Sequence, residues 1–391
     1  MNALEQYTSE LNSNVFFREF SFARNKFSPE PKRQLEFADH VVWLDNLLLT
    51  FQLKERNISE NTNSKKEEKW FNDNVVREAT KQVRNTLGYL RDYKEIHLTN
   101  DRNHTFNIAT AKLKAIDKIV LYSAHEALPI KCRNKKYHNS SSGGFIHIVH
   151  IEDYIGICET LVTPTEIHHY LSYREELINQ WEKETAHIPE YALLGHFLYG
   201  DLSTAPSIES KKYLMALKDN RAEWDFTNIA RIFADRMTVT SNPKDYYKII
   251  TELAKFKRTD LKLFKERFEL VKDKAMKNEF ARPYRMTIPE MVGFVFIPIT
   301  QDMIDRRTQG LSNLTLAHKY DQKLPKCIGL SISPDRDEIF YVEWCYIESP
   351  WAYDEEMGKM LKESFPFRPV QEHYVPTYIF DKTVDSDLKK L

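Results

Sequence analysis

Residues 33–56, RQLEFADHVVWLDNLLLTFQLKER, hold two runs rich in β-branched, aromatic and Leu side chains on either side of Asp45-Asn46. Such runs around a short polar pair read as a β-hairpin. Asn and Asp tolerate positive φ best after Gly, so Asp45 and Asn46 are taken as the central turn residues, and register follows by arithmetic. Leu44 faces Leu47, Val42 faces Leu49, and Asp39 stands opposite Gln52 with Cβ atoms about 4.5–5.5 Å apart. Lys54, two residues beyond Gln52, lies on the same face. Val42, Leu44, Leu47, Leu49, Phe51 and Leu53 share one face, with Val41, Trp43 and Leu48 on the other, which predicts a sheet covered on both sides. A carboxylate, a carboxamide and an ammonium collected there cost several kcal/mol, of order 2–7 per group, unless they are paired or hold a metal. The plainer alternative is an Asp39–Lys54 salt bridge at the solvent edge of the sheet.

Ala38-Asp39, followed by the turn and then by Gln52-Leu53-Lys54, resembles the active-site signature of the PD-(D/E)xK nuclease superfamily. The glutamine in place of the usual acid is similar to the QxK variant of Mrr-like restriction endonucleases. The resemblance covers the N-terminal region only. It implies a mixed central sheet flanked by helices, with the Asp at one strand and the triplet at the end of the next. Asp39 is then the metal-binding carboxylate, Gln52 the neutral oxygen ligand, and Lys54 the group that orients or activates the attacking water. An acid from the first helix often completes such sites. Glu19 and Glu36 are the candidates here, and because the register points Glu36 to the opposite face, Glu19 is the expected third ligand.

The chemistry is intelligible from the residue types alone. Phosphodiester hydrolysis needs a cation to neutralise charge on the phosphoryl oxygens and to lower the pKa of a bound water. Hard oxygen donors suit Mg²⁺, with Mn²⁺ as a substitute. A charge-polar stretch at 54–69 reads as an exposed loop, and Val76, Ala79, Val83, Leu87 and Leu90 mark a helix over 66–92. KIVLYS (118–123) and FIHIVHIE (145–152) read as further strands. Between Lys65 and Lys136 there are 16 Lys and Arg against 9 Asp and Glu, in a chain whose net charge is −1. KCRNKKYH (131–138) and the Ser/Gly run after it read as an exposed loop whose Lys131, Arg133, Lys135 and Lys136 contact phosphates; a merely solvated basic loop is the alternative. His147 and His150 are three apart on a strand and face opposite sides, so they cannot share a metal.

The 391 residues are too many for one core, so two domains are expected. A restriction-endonuclease-like α/β domain takes 1–160 and an α+β domain takes 161–391, for recognition or oligomerisation. Thr163-Pro164-Thr165-Glu166 reads as a helix start at that boundary. Helices are expected near 208–218, 222–236, 243–256, 259–279 and 301–320, and strands at 292–299, 327–333 and 338–347. His168, His169, His196, Asp201 and Glu343 could be cast as a hydrolase set, against the plainer reading that they are unrelated. The tail aromatics Phe340, Tyr341, Trp344, Tyr346, Trp351 and Tyr353 read as core, and the segment after Pro366 as a wrap over the surface or a partner.

Composition excludes several classes. With 10 Gly and neither GxGxxG nor GxxxxGK[ST], the Gly-rich phosphate cradles are absent. No apolar run approaches the ~18 residues of a membrane span, and the N-terminal stretch lacks a basic head and apolar core, so a cytoplasmic protein without a membrane partner is expected. Cys132, Cys158, Cys327 and Cys345 show no CxxC spacing and read as reduced thiols. The expected activity is metal-dependent hydrolysis of DNA, in defence against foreign DNA or in repair. The expected assembly is a homodimer, since cutting two strands needs two sites. The competing reading is a catalytically degenerate nuclease fold that only binds nucleic acid or a partner protein.

Overall fold

The computed structural model describes residues 3–367, apart from 24, 31, 58–61, 200, 220, 227–231, 234, 236, 238–241, 243, 289–291, 337–338 and 365. The chain is mixed α/β. Its described residues form two compact units, one holding those up to 219 with 254–257, the other those of 221–253 and 258–367. The division expected near 160 thus falls near 220. The helix start at Thr163 is real, with the Thr163 hydroxyl accepting from the Glu166 N–H at 3.2 Å, but the helix it opens packs back on the first unit's sheet.

The first unit begins with α1 (Ala3–Val15), β1 (Ser21–Phe22), β2 (Lys26–Glu30), β3 (Arg33–Glu36), β4 (His40–Leu44) and β5 (Leu47–Glu55). It continues with α2 (Ser64–Trp70), a π-helical stretch (Phe71–Glu78), α3 (Ala79–Asp92), β6 (His97–Thr99), β7 (Thr105–Asn107), β8 (Ala115–Ser123), α4 (Ile130–Arg133), β9 (Tyr137–Ser140) and β10 (Gly144–His150). Then come α5 (Ile151–Thr160), α6 (Pro164–Gln180), α7 (Glu182–Thr185), α8 (Glu190–Tyr199) and α9 (Lys211–Asp219).

Six strands form one mixed sheet in the order β1-β4-β5-β8-β10-β9. The hairpin pairs Val42 with Leu49 and Leu44 with Leu47, as the arithmetic requires, and Asp45 turns it with φ 51°. Strands β5, β8 and β10 run parallel, so helical crossovers must cover the faces. The continuous helix 64–92 supplies one cover. Phe71, Val75, Ala79 and Val83 bury against Val120, Tyr122, Ile146 and Ile148. Those four helix positions repeat every four residues, a spacing that drifts around a 3.6-residue turn; the wider π turns over 71–78 absorb the drift. On the opposite face α5 meets β5 through Tyr154 and Phe51, whose rings are 5.5 Å apart, and the Tyr154 hydroxyl donates to Asn12 of α1 at 2.8 Å.

Gly195 of α8 meets the turn before α9 so closely that an added Cβ would lie 2.1 Å from the carbonyl oxygen of Ser210. The obstacle is backbone and cannot rotate away. Gly195→Ala is therefore expected to destabilise by about 1–3 kcal/mol, the range for overpacking a close contact. Urea denaturation checks this; a change below about 0.5 kcal/mol, the scale of a surface substitution, would contradict it.

In the second unit a four-stranded sheet runs β11 (Tyr284–Ile288), β12 (Val292–Pro298), β13 (Lys326–Arg336), β14 (Ile339–Glu348), with only the β12–β13 pair parallel. Helix Arg258–Met276 packs on one face through Phe264 against Phe294 and Phe296. Leu311 of helix Arg307–Asp321 packs on the other with Val295 and Ile297. Strand β11 and helix Glu355–Ser364 were not anticipated. Strand β13 continues past the expected end at 333, through Pro334 to Arg336. Phe340 and Trp344 do pack inward, on Phe268 and Phe233, whereas Tyr341 and Tyr353 are exposed. The segment from 368, expected to wrap a surface, lies outside the described residues. Among the described residues no helix is long and apolar enough to cross a membrane.

Candidate functional site

The bend that carries Asp39 is pinned from two sides. Asn25 donates its amide to the carbonyls of Phe22 and Ala38 at 2.8 and 3.2 Å, and Thr86 of α3 donates to the carbonyl of Phe37 at 2.5 Å. The β4–β5 ladder ends at His40 and Phe51, which would leave the N–H of Leu53 unpaired. The Asp39 carboxylate caps it, accepting through Oδ2 at 2.6 Å. Asp39 thus sits at the strand end, over the β5 face that holds Gln52 and Lys54.

Gln52 is only 2% exposed, and among the described residues no hydrogen bond reaches its carboxamide. The Lys54 ammonium donates to Gln82 Oε1 at 2.6 Å and forms no ion pair with Asp39, so the solvent-edge salt bridge is not the arrangement found. Gln82 and Thr86, four apart on α3, both face this corner. They are the polar interruption of an otherwise apolar helix side, a signal the sequence carried and the hydrophobic count passed over.

Burial holds the Asp39 carboxyl above the usual carboxylate range; the Leu53 N–H and the Lys54 charge pull it down, while Glu36 and Glu5 push it up. Two expectations are corrected here. Glu19 is not beside Asp39: it is buried and accepts from the Arg102 guanidinium at 2.8 Å, after α1 has ended. Glu36 does act on Asp39, because β3 pairs with β2 and not in line with β4, which voids the extrapolated register. Glu5 belongs to α1, whose Leu4 N–H donates to Glu55 at the end of β5 at 3.4 Å.

Among the described residues no three His, Cys, Asp or Glu side chains cluster as a metal site. A Mg²⁺ site needs less, since the ion keeps several waters and often takes one or two carboxylates. The Asp39 carboxylate and the unbonded Gln52 oxygen are hard donors that fit such an ion, with Glu5 and Glu36 adding negative field.

The basic segment is more ordered than expected, because residues 137–140 pair with β10 as an edge strand. Lys131 pairs with Glu68 at 2.5 Å. Arg133 spends its guanidinium on the carbonyls of Leu128, His125 and Glu126. Lys136 is largely buried, 3.6 Å from Glu190. Of the four expected phosphate contacts, only Lys135 has no side-chain ion pair or side-chain hydrogen bond among the described residues. Glu67, expected in an exposed loop, is buried against Arg56 at 3.1 Å.

The hydrolase set does not form one cluster. His168, in ring contact with His169, bonds Asp117 at 2.8 Å, which raises its pKa; His196 bonds the Thr204 carbonyl near Asp201, which caps Ser203 and Thr204; and Glu343 pairs with Arg307 in the second unit. His147 and His150 do face opposite sides, one against Arg174 and the other against Tyr122.

A buried ionic network went unanticipated. Arg174, on α6, binds both oxygens of Glu190 at 2.6 and 3.1 Å. Burial opposes the charge on Glu190, but Arg174, Lys136 and the Tyr170 hydroxyl outweigh it and bring its pKa to about 2. Burial and the Glu190 charge push nearby Asp153 up to about 6, against Lys136 and Arg174. A carboxyl raised from 3.8 to about 6 gives stability that is present below the lower value and lost as pH rises through the upper one. Asp153→Asn is expected to raise the urea midpoint at pH 8 and leave it unchanged near pH 3.5; an equal effect at both would contradict the assignment.

No family model, curated protein or solved structure matches the chain.

Proposed function

We propose that the first unit is a metal-dependent nuclease of the PD-(D/E)xK type, hydrolysing DNA phosphodiester bonds at Asp39, Gln52 and Lys54. The observation that carries this is a carboxylate at one strand end that caps the Leu53 N–H and feels the Lys54 charge, with the buried Gln52 on the same strand. Support also comes from a helix following the triplet strand and covering its face, and from an acid on the first helix, Glu5, acting on Asp39.

Asp39 is held through Oδ2 by the Leu53 N–H, which leaves Oδ1 for a cation together with the Gln52 oxygen. Bound there, Mg²⁺ or Mn²⁺ supplies a Lewis acid for the phosphoryl oxygens and a water of lowered pKa. Lys54 gives one of its three N–H donors to Gln82; the other two can hold the attacking water and a phosphoryl oxygen. A homodimer belongs to this reading when both strands of a duplex are cut, and a defence role is its biological setting.

The second reading is a degenerate nuclease fold that binds without cutting. The single carboxylate and the Lys54–Gln82 bond favour it. Plasmid, linear and single-stranded DNA incubated with Mg²⁺ or Mn²⁺ separate the two. Cleavage by the wild type that is lost in Asp39→Asn and Lys54→Ala supports the nuclease; no cleavage by any form, or equal cleavage by all, removes it.

A further inference from the structure

At the far edge of the same sheet, β9, α4 and the chain around α7 line an open cleft of about 530 Å³. That lies within the ~300–1,000 Å³ of small-ligand sites. Its lining carries Lys131, Lys135 and Lys136 and a single acid, Glu182, which already accepts from the Tyr137 hydroxyl. Lys131 and Lys136 have their own carboxylates in Glu68 and Glu190. Lys135 has no such partner among the described residues, so one uncompensated cation faces the cleft. Its charge adds to burial in lowering the pKa of the adjacent His138, a cost that an anion beside Lys135 would relieve.

The rest of the lining is suited to a planar, partly apolar group. Tyr137 stacks on Phe145 with centroids 5.0 Å apart and rings 3° from parallel, a braced surface for a further ring. Ile178 and Ala186 supply apolar walls. Among the described residues no hydrogen bond engages the carboxamides of Asn134 and Asn139, so their donors and acceptors remain for the edge of a bound base.

We propose that this cleft binds a nucleoside phosphate, with the phosphate on Lys135, the base against Tyr137 and its edge on Asn134 and Asn139. The ligand is either a free nucleotide or the phosphorylated end of a strand. It is bound independently of the chemistry at Asp39.

The test uses the full chain and methylanthraniloyl-ADP, read by fluorescence anisotropy. Saturable binding is expected, weakened roughly tenfold or more by Lys135→Glu, retained in Lys135→Arg, and unchanged in Asp39→Asn. Because Lys135 is only half-buried, melting temperatures should stay level and exclude unfolding as the cause. Asn139→Ala should weaken the labelled nucleotide but not inorganic pyrophosphate. Competition identifies the source: a 5′-phosphorylated oligonucleotide acting below the concentration of free ADP assigns a strand end, and the reverse assigns a free nucleotide. No saturable binding at millimolar probe, equal affinity in Lys135→Glu, or competition by pyrophosphate as strong as by ADP overturns the proposal.

Discussion

Arg174→Ala should cost the first unit about 3–5 kcal/mol, the penalty for leaving one member of a buried ion pair alone, out of a total of some 5–15 kcal/mol for a domain. The guanidinium is fully buried. Besides both oxygens of Glu190, it donates to the carbonyls of Lys136 and Ile148 at 3.1 and 3.4 Å. It also donates to Nδ1 of His147 at 3.1 Å; an arginine can only donate, so that nitrogen accepts, and burial keeps the imidazole neutral. Alanine would remove the donor to His147 Nδ1 and leave a buried carboxylate with only Lys136 and Tyr170. Lysine in place of Arg174 should lose less but cannot restore the fork. Glu190, depressed from 4.5 to about 2, contributes stability that is present above the first value and lost as pH falls through the second. The gap between wild type and Arg174→Ala should therefore close in acid. Urea melts at pH 7 and pH 2.5 read both effects; a loss under about 1 kcal/mol at pH 7 would mean that Glu190 finds water or another partner, as a surface pair does.

If the first unit is the nuclease proposed above, Asp39→Asn should lower cleavage by about 10³-fold and raise the melting temperature together, several kcal/mol of transition-state stabilisation going with the carboxylate that would hold the cation. Asparagine keeps an oxygen for the Leu53 N–H, so the strand end stays capped. What it removes is a charge that burial, Glu36 and Glu5 disfavour. A carboxyl whose pKa folding raises destabilises the native state above that pKa, so the gain should be present at pH 8 and vanish below 3.8. Asp39→Ala is the contrasting variant: it leaves the Leu53 N–H orphaned, at a cost of about 1–3 kcal/mol. Retained cleavage in Asp39→Asn, with no gain in stability, would reduce Asp39 to a solvated cap.

Local pattern carried the hairpin. A two-residue period and a two-residue turn leave one register that buries Val42, Leu44, Leu47 and Leu49, and the pairs Val42–Leu49 and Leu44–Leu47 obey it. The same arithmetic failed for Glu36, because it assumed one strand where the chain bends at 37–39 and β3 turns to β2. Glu19 follows only from turning Glu36 to the opposite face; its partner Arg102 arrives from the β6–β7 hairpin, which no spacing rule links to it. YHNS has no alternating apolar face and reads as loop; only pairing with the neighbouring β10 makes it strand β9. The domain boundary erred for a related reason: Thr163-Pro164 marks where a helix begins, and nothing local in the 17 residues of α6 says that Arg174 reaches back to His147.

The π-helical stretch sets the phase of everything downstream on its helix. Each residue added to an α-helix advances the side chains by about 100°, so two wide turns over 71–78 decide which way Gln82 and Thr86 look. Shortening that stretch by one residue would let it relax into ordinary turns and swing both polar groups off the Asp39 corner, leaving the bend at Phe37 and the ammonium of Lys54 without their fixed partners. The aim of the Lys54 ammonium thus depends on the winding of the helix that precedes Gln82.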